Sequence, residues 1–104
     1  MANLLSYTDT ASEVFHPKTD FLVSVHGSPT KDYSIVTLPE QIADNGDWIP
    51  AAVGGVNTQL NDSNKLVTVN YAKGYKYRIE SASNVDSGLE FYWGNATKVN
   101  YSVG

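Results

Sequence analysis

Lys73-Gly74-Tyr75-Lys76-Tyr77-Arg78-Ile79-Glu80 places three of the chain's seven basic residues within six positions of an otherwise acidic protein. Successive side chains of a strand point to opposite faces, so Tyr75, Tyr77 and Ile79 share one face while Lys76, Arg78 and Glu80 share the other. The period of two predicts a strand with a buried aromatic row and a solvated polar row. In the competing reading, Lys76 and Arg78 form a basic patch that meets a partner. Charge reversal at both separates the readings, because a solvated face tolerates it within about 0.5 kcal/mol.

The same alternation runs through the rest of the chain. Phe21-Leu22-Val23-Ser24-Val25-His26 reads as a strand with Phe21, Val23 and Val25 on one face, ended by Gly27-Ser28-Pro29-Thr30. Tyr33 to Leu38 repeats the pattern until Pro39 interrupts it. Leu66 to Tyr71 follows the polar loop 61–64, Leu89 to Trp93 precedes Gly94-Asn95, and Val99 to Val103 reads as the last strand. Asp47-Trp48-Ile49-Pro50 reads as a short strand, and the glycines of 51–56 mark a turn or bulge. Only Glu40-Gln41-Ile42-Ala43, ahead of Asn45-Gly46, suits a helical turn. Short strands separated by turn signals, without crossover helices, predict a single all-β domain: an antiparallel β-sandwich or jelly roll with at most one short helical turn. Residues 20–104 form that domain, and residues 1–19 are an N-terminal arm or an edge strand.

Length and composition agree. A chain of 104 residues suffices for one core, and 41% hydrophobic with 17% charged residues is too apolar for disorder. Seven Tyr, two Trp and three Phe favour strands. A net charge of −4 argues against nucleic-acid binding, which needs clustered Lys and Arg. With no Cys there is neither a disulfide framework nor a thiolate metal site. The N-terminus lacks the basic and apolar regions of a secretory signal, and no run reaches membrane-spanning length, so the expectation is a soluble protein made in a cytoplasm. The sequons at Asn61, Asn95 and Asn100 then read as turn and strand residues.

No stretch carries the pattern of a catalytic site or a cofactor site. His16 and His26 lack metal-ligand spacing and read as rim histidines. Asp44-Asn45-Gly46-Asp47 has oxygen ligands around a glycine but lacks the downstream Glu of an EF-hand, and Asx and Gly are ordinary turn chemistry. There is no Gly-x-Ser-x-Gly elbow, Gly54-Gly55 has no following Lys, and a carboxylate pair such as Glu80 with Asp86 arises in any acidic domain. Trp48 and Trp93 read either as a stacking platform for sugars or as core or interface anchors. Phase with Leu89 and Phe91 favours the second for Trp93.

Asn45-Gly46-Asp47-Trp48-Ile49-Pro50, followed by Gly74-Tyr75-Lys76-Tyr77-Arg78-Ile79 and a closing aromatic strand, resembles small β-sandwich virion proteins of tailed bacteriophages. In these a Gly-x-Trp-x-Pro strand and a Gly-x-x-Tyr-Arg strand recur. The resemblance covers residues 20–104. It implies a non-enzymatic head decoration or cement protein located in the virion and assembled in the host cytoplasm. Its implied partners are the major capsid protein or other virion proteins, in a homo-oligomer, with no nucleic acid and no membrane. A tail or tail-fibre component and a glycan-binding β-sandwich module are the alternatives. Under the decoration reading Leu4, Leu5 and Tyr7 form an arm that adds to a neighbour's sheet edge, and Lys76 and Arg78 are the other candidate partner contacts.

Overall fold

The computed structural model describes residues 10–53, 56–57, 59–81 and 88–95. Among these the regular structure is strand: β1 (Phe21–His26), β2 (Tyr33–Pro39), β3 (Ile49–Pro50), β4 (Ala52–Val53), β5 (Val56–Asn57), β6 (Gln59–Leu60), β7 (Leu66–Val69), β8 (Tyr75–Glu80) and β9 (Glu90–Asn95). The expected strand at Val99–Val103 and the turn or bulge expected at Gly54-Gly55 lie outside the described residues.

Two antiparallel sheets pack face to face, as the alternation predicts. In the first, β1 lies between β7 and β9 and sets Val23 between Val67 and Trp93. In the second, β8 runs the length of β2 on one side, while β6 and β3 share its other side. β4 and β5 pair separately. Each sheet turns its branched and aromatic residues inward: Phe21, Val23, Val25, Val69 and Phe91 meet Tyr33, Ile35, Leu60, Tyr77 and Ile79, all at most 2% exposed. Rings lock the two layers, with Phe21 edge-on to Tyr77 at 4.8 Å and Tyr33 edge-on to Phe91 at 4.9 Å.

Residues 10–15 extend the second sheet. Ala11 and Phe15 bridge to Glu80 and Tyr77, and Phe15 exchanges both backbone hydrogen bonds with Tyr77 at 2.9 and 3.1 Å. Its ring enters the core, stacked on Trp93 at 5.1 Å and edge-on to Phe21 at 5.7 Å.

Several boundaries move. β7 ends at Val69, because the Tyr71 amide leaves the ladder to donate to Asp20 Oδ1 at 2.9 Å. β9 continues through Gly94 and Asn95, and β2 includes Pro39, paired with Tyr75. Glu40–Ala43 is not a helical turn. Two successive β-turns replace it, closed by Ile42 N–H to Pro39 at 3.0 Å and Gly46 N–H to Ala43 at 2.8 Å. A helix would direct the Ile42 carbonyl to the Gly46 amide, but that carbonyl accepts from Lys76 Nζ at 2.6 Å. Gly46 suits the tight fold-back, since a Cβ there would lie 2.6 Å from Ile42 Cγ2.

Candidate functional site

The segment 39–48 crosses the outer face of the second sheet and changes what that face is. Val36 and Leu38, in phase with one another and out of phase with the core row, are 4% and 2% exposed, so β2 is buried on both sides. Lys76 stands beside Leu38 and Arg78 beside Val36 in the cross-strand register.

Lys76 does not lie on a solvated face. It is 6% exposed, and its ammonium donates to the Ile42 carbonyl at 2.6 Å and to Asp44 Oδ1 at 2.5 Å. A buried ammonium requires such partners because desolvation penalises the charged form. Arg78 is half-buried, with its guanidinium carbon 4.4 Å from the centroid of the Trp48 ring and its Nε and Nη2 on Glu80 Oε2. The Trp48 indole N–H in turn donates to the Asp44 carbonyl at 2.8 Å. Both candidate cations are therefore engaged within the domain. The expectation of a freely solvated row fails because alternation within a strand carries no information about a loop that returns to cover it. The other candidate contacts, Leu4, Leu5 and Tyr7, lie outside the described residues.

In the turn 44–47 both Asp44 oxygens with partners serve the fold, Oδ1 accepting from Lys76 and the carbonyl from the Trp48 indole. His16 pairs with Glu40 at 2.5 Å, while His26 Nε2 lies 2.9 Å from Ser24 Oγ on the other sheet. Among the described residues no group of three or more His, Asp or Glu converges to hold a metal. Trp93 is half-buried against the core cluster, in line with its phase. Glu80 meets Arg78, and Asp86 lies outside the described residues.

Strand spacing also brings together residues that the motif reading passes over. Ser24 and His26 alternate onto the outer face of the first sheet, opposite Tyr92 and Glu90. The Ser24–His26 separation is that of a nucleophile and its base. However, Ser24 is only 5% exposed, and it is the Tyr92 hydroxyl that donates to Glu90 Oε1, at 3.1 Å. Desolvation, then the hydrogen bond and charge of Glu90, raise the Tyr92 hydroxyl above its ordinary value near 10.0. The cluster is a braced strand surface.

Comparison with protein-family models, curated proteins and solved structures finds no match. The residues themselves carry the functional reading. A cleft of 620 Å³ opens on the outer face of the second sheet, lined by Trp48, Pro50, Val36, Ser34, Gln59 and Glu80 together with Asp32 and neighbouring side chains. Its floor comes from β2 and its walls from β3, β6 and β8, so no short sequence motif marks it. The signal that finds it is the cross-strand register, in which Ser34 is opposite both Glu80 and Gln59, and Val36 is opposite Pro50.

Proposed function

We propose that the chain is a non-enzymatic structural protein of a tailed-bacteriophage virion. It decorates the head and reinforces the shell through protein contacts with the major capsid protein, as a homo-oligomer. The observation that carries this reading is the stacking of Arg78 on Trp48. It joins the Gly46-x-Trp48-x-Pro50 strand to the Gly74-x-x-Tyr77-Arg78 strand, the two segments on which the resemblance to phage virion proteins rests. The contact supports reading the two segments as parts of one scaffold.

A decorating domain works by presenting surfaces at repeated positions. Large apolar side chains stand at the sheet margins, with Ile49 on β3 52% exposed and Leu66 on β7 53% exposed. Exposed apolar residues on edge strands are suited to contacts between chains. Leu4, Leu5 and Tyr7 are further apolar candidates for such contacts, in the sequence ahead of Thr10, whose carbonyl accepts from the Ser81 amide at 2.8 Å. Many weak contacts repeated over a shell give strong attachment by multivalency.

The test is co-sedimentation of the purified chain with shells of the phage that encodes it, beside a variant lacking residues 1–9. The full chain is expected to pellet at a fixed ratio to the capsid protein, and the truncated chain to remain folded and pellet less. A full chain that stays in the supernatant overturns the reading. Equal pelleting of the two removes the arm from the mechanism.

A further inference from the structure

The cleft on the outer face of the second sheet belongs to none of the contacts assigned to decoration, and it has the dimensions and chemistry of a ligand site. We infer that it binds a neutral saccharide. Its 620 Å³ falls within the range of small-molecule sites.

Two parallel rows line it. Glu80, Ser34 and Gln59 stand side by side across β8, β2 and β6, neighbours about 5 Å apart in such pairings, and present a carboxylate, a hydroxyl and an amide. One residue pair along, Val36 lies between Arg78 and Pro50 and is only 4% exposed, so the exposed Pro50 ring and the Trp48 ring supply the apolar side over it. A rim of donors and acceptors next to an apolar strip matches a sugar ring, which has hydroxyls at its edge and C–H groups on its face. Asp32 extends the polar side, and a shallower 330 Å³ recess that shares Asp32 continues past Asn61 and Ser63.

The polar groups are already oriented by the protein. Gln59 Nε2 donates to Ser34 Oγ at 3.2 Å, Asn61 Nδ2 donates to Asp32 Oδ1 at 3.1 Å, and Arg78 holds Glu80. Such bracing lowers the entropy lost on binding. Charge selects among ligand classes. The carboxylates of Asp32 and Glu80 disfavour phosphates and other anions. Arg78 on Glu80, with Lys31 in the lining, offsets the acidity that a basic peptide would need.

The experiment titrates the ¹⁵N-labelled full chain with neutral oligosaccharides of glucose, galactose, mannose and N-acetylglucosamine, and separately with oligolysine. At least one saccharide is expected to shift amides of 32–36, 48–49, 59–61 and 78–81. Gln59→Ala and Asp32→Asn are expected to weaken it about tenfold each, the effect of one lost hydrogen bond, with the fold retained. The inference is overturned if no saccharide binds, if the shifts fall elsewhere, if both folded variants bind as tightly as the parent, or if oligolysine alone occupies the cleft. It stands apart from head attachment, which co-sedimentation reads independently.

Discussion

Replacing Lys76 by Met tests whether the ammonium under the 39–48 segment holds that segment to the sheet. Methionine keeps an unbranched apolar stem at a position only 6% exposed, so the change removes the head group and little of the packing. Two hydrogen bonds are lost, to the Ile42 carbonyl and to Asp44 Oδ1. Orphaning a buried carbonyl and breaking a charge-assisted bond costs about 1–3 kcal/mol for each group that stays dry. Here water limits the loss. The Asp44 side chain is 60% exposed and rehydrates, Ile42 is 43% exposed, and the mutant no longer buries a charge.

The net expectation is about 1–2 kcal/mol, or roughly 4–16 °C in melting temperature for a domain of this size. Urea unfolding followed by circular dichroism, beside Asp44→Ala and the double mutant, is the assay. The double mutant should be more stable than the two single costs added together imply, since both remove the same contact. A Lys76→Met protein within about 0.5 kcal/mol of the parent, or an additive cycle, would refute the tether.

Phe15→Ala should cost about 3–5 kcal/mol in the same assay, because a core ring stacked on Trp93 and edge-on to Phe21 is removed; a cost under 1 kcal/mol would mean that residues 10–15 are not part of the core. Gly74→Ala, at φ +86° with nothing within 4 Å of the new Cβ, should cost about 1–2 kcal/mol. Gly27→Ala should cost more, since at φ +117° its Cβ would also lie 2.7 Å from Leu89 Cδ2; equal losses would contradict the clash. Because the Tyr92 hydroxyl is raised in the folded state, the folded protein holds its proton longer than the unfolded chain. That contribution is fully present below pH 10 and is lost as pH rises through the folded value. Tyr92→Phe should flatten this alkaline loss in a melting-versus-pH series, and an unchanged slope would count against it.

The core rows are legible in the sequence because a half-buried strand declares its inner face by alternation: Phe21, Val23 and Val25, or Tyr77 and Ile79, need only their spacing. Val36, Leu38 and Lys76 are not legible in this way, since their burial depends on a segment that folds back across them. Phe15 is hidden for a related reason. It sits in a short stretch ahead of Pro17 with no strand period, and only pairing with Tyr77, 62 positions on, carries it into the core. The cleft is the extreme case, since Ser34, Gln59 and Glu80 become neighbours only through strand register. Trp48 and Arg78 are visible as motif residues, whereas their contact with each other is a tertiary fact.

Electron cryomicroscopy of heads of the encoding phage, imaged with and without the added protein, tests the decoration reading most directly. The account predicts added density of about 11.3 kDa per copy at every symmetry-equivalent position of the shell, with copies in contact with one another and with the capsid protein. Bare shells, or density confined to the tail vertex, would contradict it.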